Sequence, residues 1–138
     1  MQADFKLTGF DELHKALGKF TERTERQLSM TALRAGGRVV IKNAAQNAPV
    51  DEGLLQDKNS WMSKAGRYRP GEDITLIVGT KGGRKFGWYA HLVEFGTAHS
   101  RARPFFRPAF DEHAAEIIEA VGASLTRGIP RAVERGRR

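Results

Sequence analysis

Cysteine is absent from the 138 residues, so neither a disulfide nor a thiolate-bound metal belongs to this chain's chemistry. Long apolar runs are missing too. No window approaches the 18 consecutive apolar residues that a membrane-spanning helix needs. The opening MQADFKLTGF lacks the basic-then-apolar layout of a signal peptide. These absences fit a protein made in a reducing cytoplasm, with no role in a membrane.

What is present is ordinary for a globular chain. Forty per cent of the residues are hydrophobic and 28% are charged, too apolar a mixture for a disordered protein. The length suits one core. The net charge is +7, and its distribution matters more than its total. Residues 127–138, RGIPRAVERGRR, hold five arginines against one glutamate and so carry +4, leaving +3 for the rest. The division expected is a single domain over 1–126 followed by a basic, flexible tail over 127–138.

Hydrophobic spacing predicts the elements. Phe10, Leu13 and Leu17 recur at helical intervals. A longer helical pattern runs from about Thr21 to Asn47, with Leu28, Ala32, Ala35 and Val39 on one stripe, and Ala48-Pro49 ends it. Gly36-Gly37 in its middle signals either a close neighbouring backbone or a break. Residues 51–71 read as a long irregular loop around the apolar island Trp61-Met62. DITLIVGT (73–80) and WYAHLVEF (88–95) read as two strands of an antiparallel hairpin with a basic, glycine-containing tip, Lys81 to Lys85. Finally Phe110, Ala114, Ile117, Ile118, Val121 and Leu125 form one apolar helical stripe behind Pro108, with Gly128 and Pro130 closing the helix. The fold class is therefore α+β: a small antiparallel sheet with a long hairpin, packed by an N-terminal long helix and a C-terminal amphipathic helix.

Chemistry is hard to place on this frame. His91, Glu94 and His99 invite a metal hypothesis, but residues three apart on a strand point to opposite faces, and the zinc-protease spacing is absent. No serine sits in a Gly-x-Ser-x-Gly elbow. The sequence Thr80-Lys81-Gly82-Gly83-Arg84-Lys85 has the composition of a phosphate cradle but not its order. No catalytic residue, metal ligand or cofactor is expected, and the chain does not read as an enzyme. Basic residues interleaved with aromatics leave open a non-specific nucleic-acid-binding accessory protein, though no known DNA-reading module fits.

One constellation is more specific. The stretch Tyr89-Ala90, then Glu94-Phe95-Gly96-Thr97, then Pro104-Phe105-Phe106-Arg107-Pro108-Ala109 resembles the signature of the HK-ninety-seven gene-product-ten-like family of tailed-phage proteins. Ala48-Pro49-Val50-Asp51-Glu52-Gly53-Leu54-Leu55 and Leu7-Thr8-Gly9-Phe10-Asp11-Glu12-Leu13 are similar to two weaker motifs of that family, in the same order. The chain departs from it at Asp57, where a cation is usual.

The resemblance implies a structural virion protein of a siphovirus-like phage. It would be a neck, head–tail joining or tail-completion subunit, a hexameric or dodecameric ring around the DNA channel. Its partners would be head-closure or connector proteins, the tail terminator or tail tube, and packaged DNA through non-specific contacts. It would sit at the head–tail junction, after assembly in the host cytoplasm. No catalytic residue carries over from the family.

Candidate interface residues are Trp61, Met62, Arg67, Tyr68, Lys81, Arg84, Lys85, Phe86, Arg101 and Arg103, since the loops at 51–71 and 81–87 are polar and long enough to reach a neighbour. Arg127, Arg131, Arg135, Arg137 and Arg138 are candidates for contact with channel DNA or an acidic partner. The signature residues Tyr89, Glu94, Phe95, Gly96, Thr97, Pro104, Phe105, Phe106 and Pro108 are expected to build a fold corner, mostly buried or interfacial.

Overall fold

A computed structural model describes residues 2–5, 21–50, 53–69, 72–82 and 88–136, with the backbone alone at 2–5 and 58. The helical repeat of Phe10, Leu13 and Leu17, the residues Asp51, Glu52, Arg84, Lys85 and Phe86, and the last two arginines, Arg137 and Arg138, lie outside the described residues.

The first long helix, α1 (Glu22–Asn47), starts after Thr21, which is itself extended and whose side chain accepts a hydrogen bond from the Thr24 N–H. That cap satisfies one of the donors orphaned at a helix start, and Glu22 and Glu25 place negative charge at the positive end of the dipole. The helix ends as expected. Ala48, held extended by the following proline, still donates its N–H to the Ala44 carbonyl.

Gly36 and Gly37 do not break α1. A Cβ at Gly36 would lie 2.9 Å from Val121 and 3.2 Å from Ile117, and one at Gly37 would lie 2.9 Å from Leu76. The two glycines thus bring α1 against a helix on one side and a strand on the other. Such closeness is what justifies glycine in a helix interior, where each costs about 1 kcal/mol against alanine.

Three strands form the sheet: β1 (Gln2–Phe5), β2 (Trp61–Ala65) and β3 (Leu76–Thr80), in the order β1-β3-β2 and all antiparallel. Gln2 pairs with Gly79 and Phe5 with Leu76 on one side of β3, and Trp61 with Thr80 and Ala65 with Leu76 on the other. The long hairpin exists, but it joins β2 to β3 rather than β3 to the chain after it. The strand expected at 88–95 is a short helix, α2 (Ala90–Phe95). Two physical reasons account for this. Both edges of β3 are already taken, and the buried positions Tyr89, Ala90 and Glu94, with half-buried Val93, follow a helical period that six residues also present as alternation. β2 escaped detection inside the supposed loop because it is an edge strand, buried only at Trp61.

The last helical region divides at residues 112–113 into α3 (Phe106–Asp111) and α4 (Ala114–Gly136). α4 does not stop at Gly128. It continues through Pro130, so residues 127–136, expected as a tail, are its last turns, and Ala132 there is buried. Gly128 serves packing rather than capping, since a Cβ on it would lie 2.9 Å from Leu28.

Two apolar clusters hold these pieces. One, between α1 and α4, contains Leu28, Ala32, Val121, Leu125 and Ala132. The other joins α1, β3 and the 88–108 region through Val40, Ala44, Leu76, Val78, Trp61, Phe105 and Phe106. Among the described residues, no helix is long and apolar enough to cross a membrane.

Candidate functional site

The 88–108 stretch is organised by one carboxylate. Glu94, on α2, is only 6% exposed. Its Oε2 accepts hydrogen bonds from the backbone N–H groups of Phe105 (2.8 Å) and Phe106 (3.0 Å), and its Oε1 accepts one from Arg107 (3.1 Å). Those residues are the cap and first two positions of α3. A helix start leaves four donors without intrahelical partners. Here the fourth position is Pro108, which has no N–H to satisfy. Glu94 thus completes the helix start, and its negative charge meets the positive end of the helix dipole.

The loop between α2 and α3 is equally determined. Gly96 closes α2 at φ 75°, in the left-handed region, and a Cβ there would fall 2.7 Å from the Ala102 nitrogen. Only glycine fits. The Thr97 hydroxyl accepts from the N–H groups of His99 and Ser100, and Arg103 donates its N–H to the Val93 carbonyl. Beyond the loop, Phe106 stacks on Trp61 at 5.6 Å and Phe105 meets the same ring edge-on at 6.2 Å. Trp61 donates its indole N–H to the Leu55 carbonyl. Where the sequence put Trp61 on a partner-facing loop, the structure buries it at 4% exposure in this chain's own core.

The opposite side of α2 faces outward. Leu92 and Phe95 on it are 37% and 74% exposed, and Trp88, in the turn before α2, is 50% exposed. His91 lies beside them, exposed, and on a helix rather than the expected strand. Within the signature, then, Tyr89, Glu94, Phe105 and Phe106 are buried and Pro108 is half-buried, whereas Phe95, Thr97 and Pro104 are exposed. The strand argument that set His91 and Glu94 on opposite faces does not apply to a helix, where residues three apart are neighbours; His91 is exposed, Glu94 is buried, and His99 is an exposed loop residue. Among the described residues, no group of three or more His, Asp or Glu side chains is placed to hold a metal.

The other expected interface residues scatter. Arg67, Arg101 and Arg103 are exposed, Met62 and Lys81 half-buried. Tyr68 is tied to the start of α1: its hydroxyl donates to Glu22 at 2.8 Å, and the Arg26 guanidinium sits 4.6 Å from its ring centre. The hydrogen bond to Glu22, burial and the carboxylates of Glu22 and Glu25 raise its pKa above 10.0, against the opposing charge of Arg26. Arg127, Arg131 and Arg135 project from the last turns of α4, all exposed. Arg131 and Arg135 join Arg34 of α1 in lining a groove of about 740 Å³ between the two long helices. Sequence reasoning missed Arg34, because only the antiparallel helix pairing brings it opposite the C-terminal arginines. The role of Glu94 was also missed, although an acid beside apolar residues and ahead of a Pro-Phe-Phe-Arg-Pro run is the available signal.

Comparison with known proteins gives one match. A family model described as "Bacteriophage HK97-gp10, putative tail-component" covers residues 11–96, more than half of the chain, and ends at the glycine that closes α2. No curated protein and no solved structure matches the chain significantly. The matched region takes in α1, the whole β2–β3 hairpin and the helix that carries Glu94. The chain belongs to the HK97-gp10-like family of bacteriophage tail components, and hence to the proteins of the virion.

Proposed function

We propose that the protein is a neck or tail-completion subunit that joins head to tail as a ring around the DNA channel, and that it works by assembly rather than catalysis. The observation that carries this reading is the outward stripe of Trp88, Leu92 and Phe95. Two large apolar side chains on one short helix, with Trp88 in the turn just before it, are unfavourable in water when exposed together, and such patches are where subunits dock. The stripe is also rigidly presented, because the buried Glu94 on the far side of α2 locks that helix to α3. In a closed ring each subunit offers one face to a different face of the next, so a single aromatic stripe per chain is sufficient. A ring of six or twelve subunits, contacts with connector, terminator or tube proteins, and a site at the head–tail junction follow from the same reading.

The test is a particle assay. Replacing Phe95 by serine leaves the melting temperature of the free protein nearly unchanged, because that side chain is 74% exposed. The same variant is lost from purified particles, and head–tail joining fails. Imaging of wild-type particles shows several copies at the junction. A single copy per particle, or full joining by the serine variant, overturns the proposal.

A further inference from the structure

The outward face of α1 carries cations and no acid. Arg34, Arg38 and Lys42 are exposed and follow one another at four-residue steps, about 6 Å apart along the helix. The only acids of α1, Glu22 and Glu25, stand in its first turn, and Glu22 faces Tyr68. Across the seam, Arg131 and Arg135 project from α4 one turn apart, and with Arg34 they line the groove between the helices. None of these five cations makes an ion pair among the described residues. In the last turns of α4, residues 127–136, Glu134 is the single acid against three arginines.

What this face lacks selects its ligand. Neither α1 nor α4 contains a Phe, Tyr or Trp, so nothing there can stack on the bases of a single strand. The apolar residues of the groove, Leu28, Met30 and Ala132, are buried or half-buried against the two helices, and the exposed large apolar side chains of α4, Ile118 and Val133, are not among its lining. A protein partner would want an aromatic or aliphatic anchor there. Guanidinium groups at repeated spacing, without an anchor and without base-stacking rings, suit a line of phosphates.

We propose that the α1–α4 face binds the phosphate backbone of duplex DNA without regard to sequence, and that the DNA-facing charge of this protein is a surface of two packed helices rather than a tail. The inference rests on the proposed position around DNA for which duplex it meets, but the binding itself is tested apart from that position.

The probe is a fluorescent duplex of arbitrary sequence, titrated with the full-length protein at a series of salt concentrations. Wild-type affinity falls steeply with salt, and the slope of log K against log salt shrinks by about 0.9 for every phosphate that is no longer neutralised. Arg34→Ala combined with Arg131→Ala therefore lowers the slope by about 1.8. Arg101→Ala combined with Arg103→Ala, which removes the same charge from the α2–α3 loop, leaves it unchanged. Wild-type protein that fails to bind duplex even at low salt overturns the inference, as does a loop variant that lowers the slope as much as the helix variant. A helix variant that drops out of particles while wild-type protein ignores duplex reassigns the face to an acidic protein and also overturns it. Duplex binding by wild-type protein that is absent from particles supports the inference and removes the neck reading instead.

Discussion

The seam between α1 and α4 and the corner formed by α2, its loop and α3 hold neighbouring parts of the core by opposite means. In the seam, small residues let two helices close on each other, so that Gly36 meets Val121 and Gly128 meets Leu28. Nothing polar is needed, because each helix satisfies its own backbone. At the corner two six-residue helices meet, too short to be stable alone. There the chain buries a carboxylate and directs both of its oxygens at backbone N–H groups. The lesson is that the seam is adjustable and the corner is not: one can relax by a few tenths of an ångström, while the other depends on a single side chain with three partners.

Glu94→Gln is the most direct way to break that contrast. Its remaining carbonyl oxygen can serve at most part of the donor set, and its amide N–H groups face other donors. Hydrogen bonds to a charged group are worth about 1.5–3 kcal/mol each and do not add fully, so a loss of about 3–5 kcal/mol is expected. Thermal denaturation reads it as a fall of roughly 10 °C or more. A loss below about 1 kcal/mol would show that the corner is held by Trp61 and Phe106 instead.

Gly36→Val probes the seam and should cost less, about 2–3 kcal/mol, from overpacking against Val121. The sharper measurement is the pair. Adding Val121→Ala returns space to the new side chain, so the double variant recovers part of the loss in a denaturant titration, as coupled neighbours do. Strict additivity would mean that the seam is as unforgiving as the corner.

The smallest effect lies at Tyr68, which links the β2–β3 connection to the start of α1. Its pKa is raised by the hydrogen bond it donates to Glu22, so its contribution to stability is fully present below the unfolded value of 10.0. It is lost as pH rises through the higher folded value. An ultraviolet titration of the tyrosinate band should show one of the two tyrosines ionising late, and Tyr68→Phe should remove the corresponding pH dependence of unfolding in alkali. A tyrosine at position 68 that ionises at or below 10.0 contradicts the link.

How legible these regions were in the sequence follows from the range of the forces involved. α1 was readable from residue to residue: a stripe of small residues at helical spacing and a proline stop both act within a turn or two. The apolar stripe of α4 was equally plain, but its end was misjudged. Gly128 and Pro130 have the local character of a terminator, while Leu28 of a distant helix gives that glycine another use. The 88–95 segment failed for a different reason. Six residues with apolar side chains on both sides satisfy strand and helix periods alike, and only the occupancy of both edges of β3 decides between them.

By itself, then, the sequence determined the α+β class, the two long helices, the importance of the 88–108 signature and the family it marks. Those depend on local periodicity and on residue types whose conformations are restricted. Tertiary structure alone decided that Glu94 caps α3 from eleven residues away and that Trp61 belongs to the core. It also decided that Arg34 shares a groove with Arg131 and Arg135. Each of these depends on which surfaces remain free once the backbone's hydrogen bonds and the largest apolar side chains have found their places.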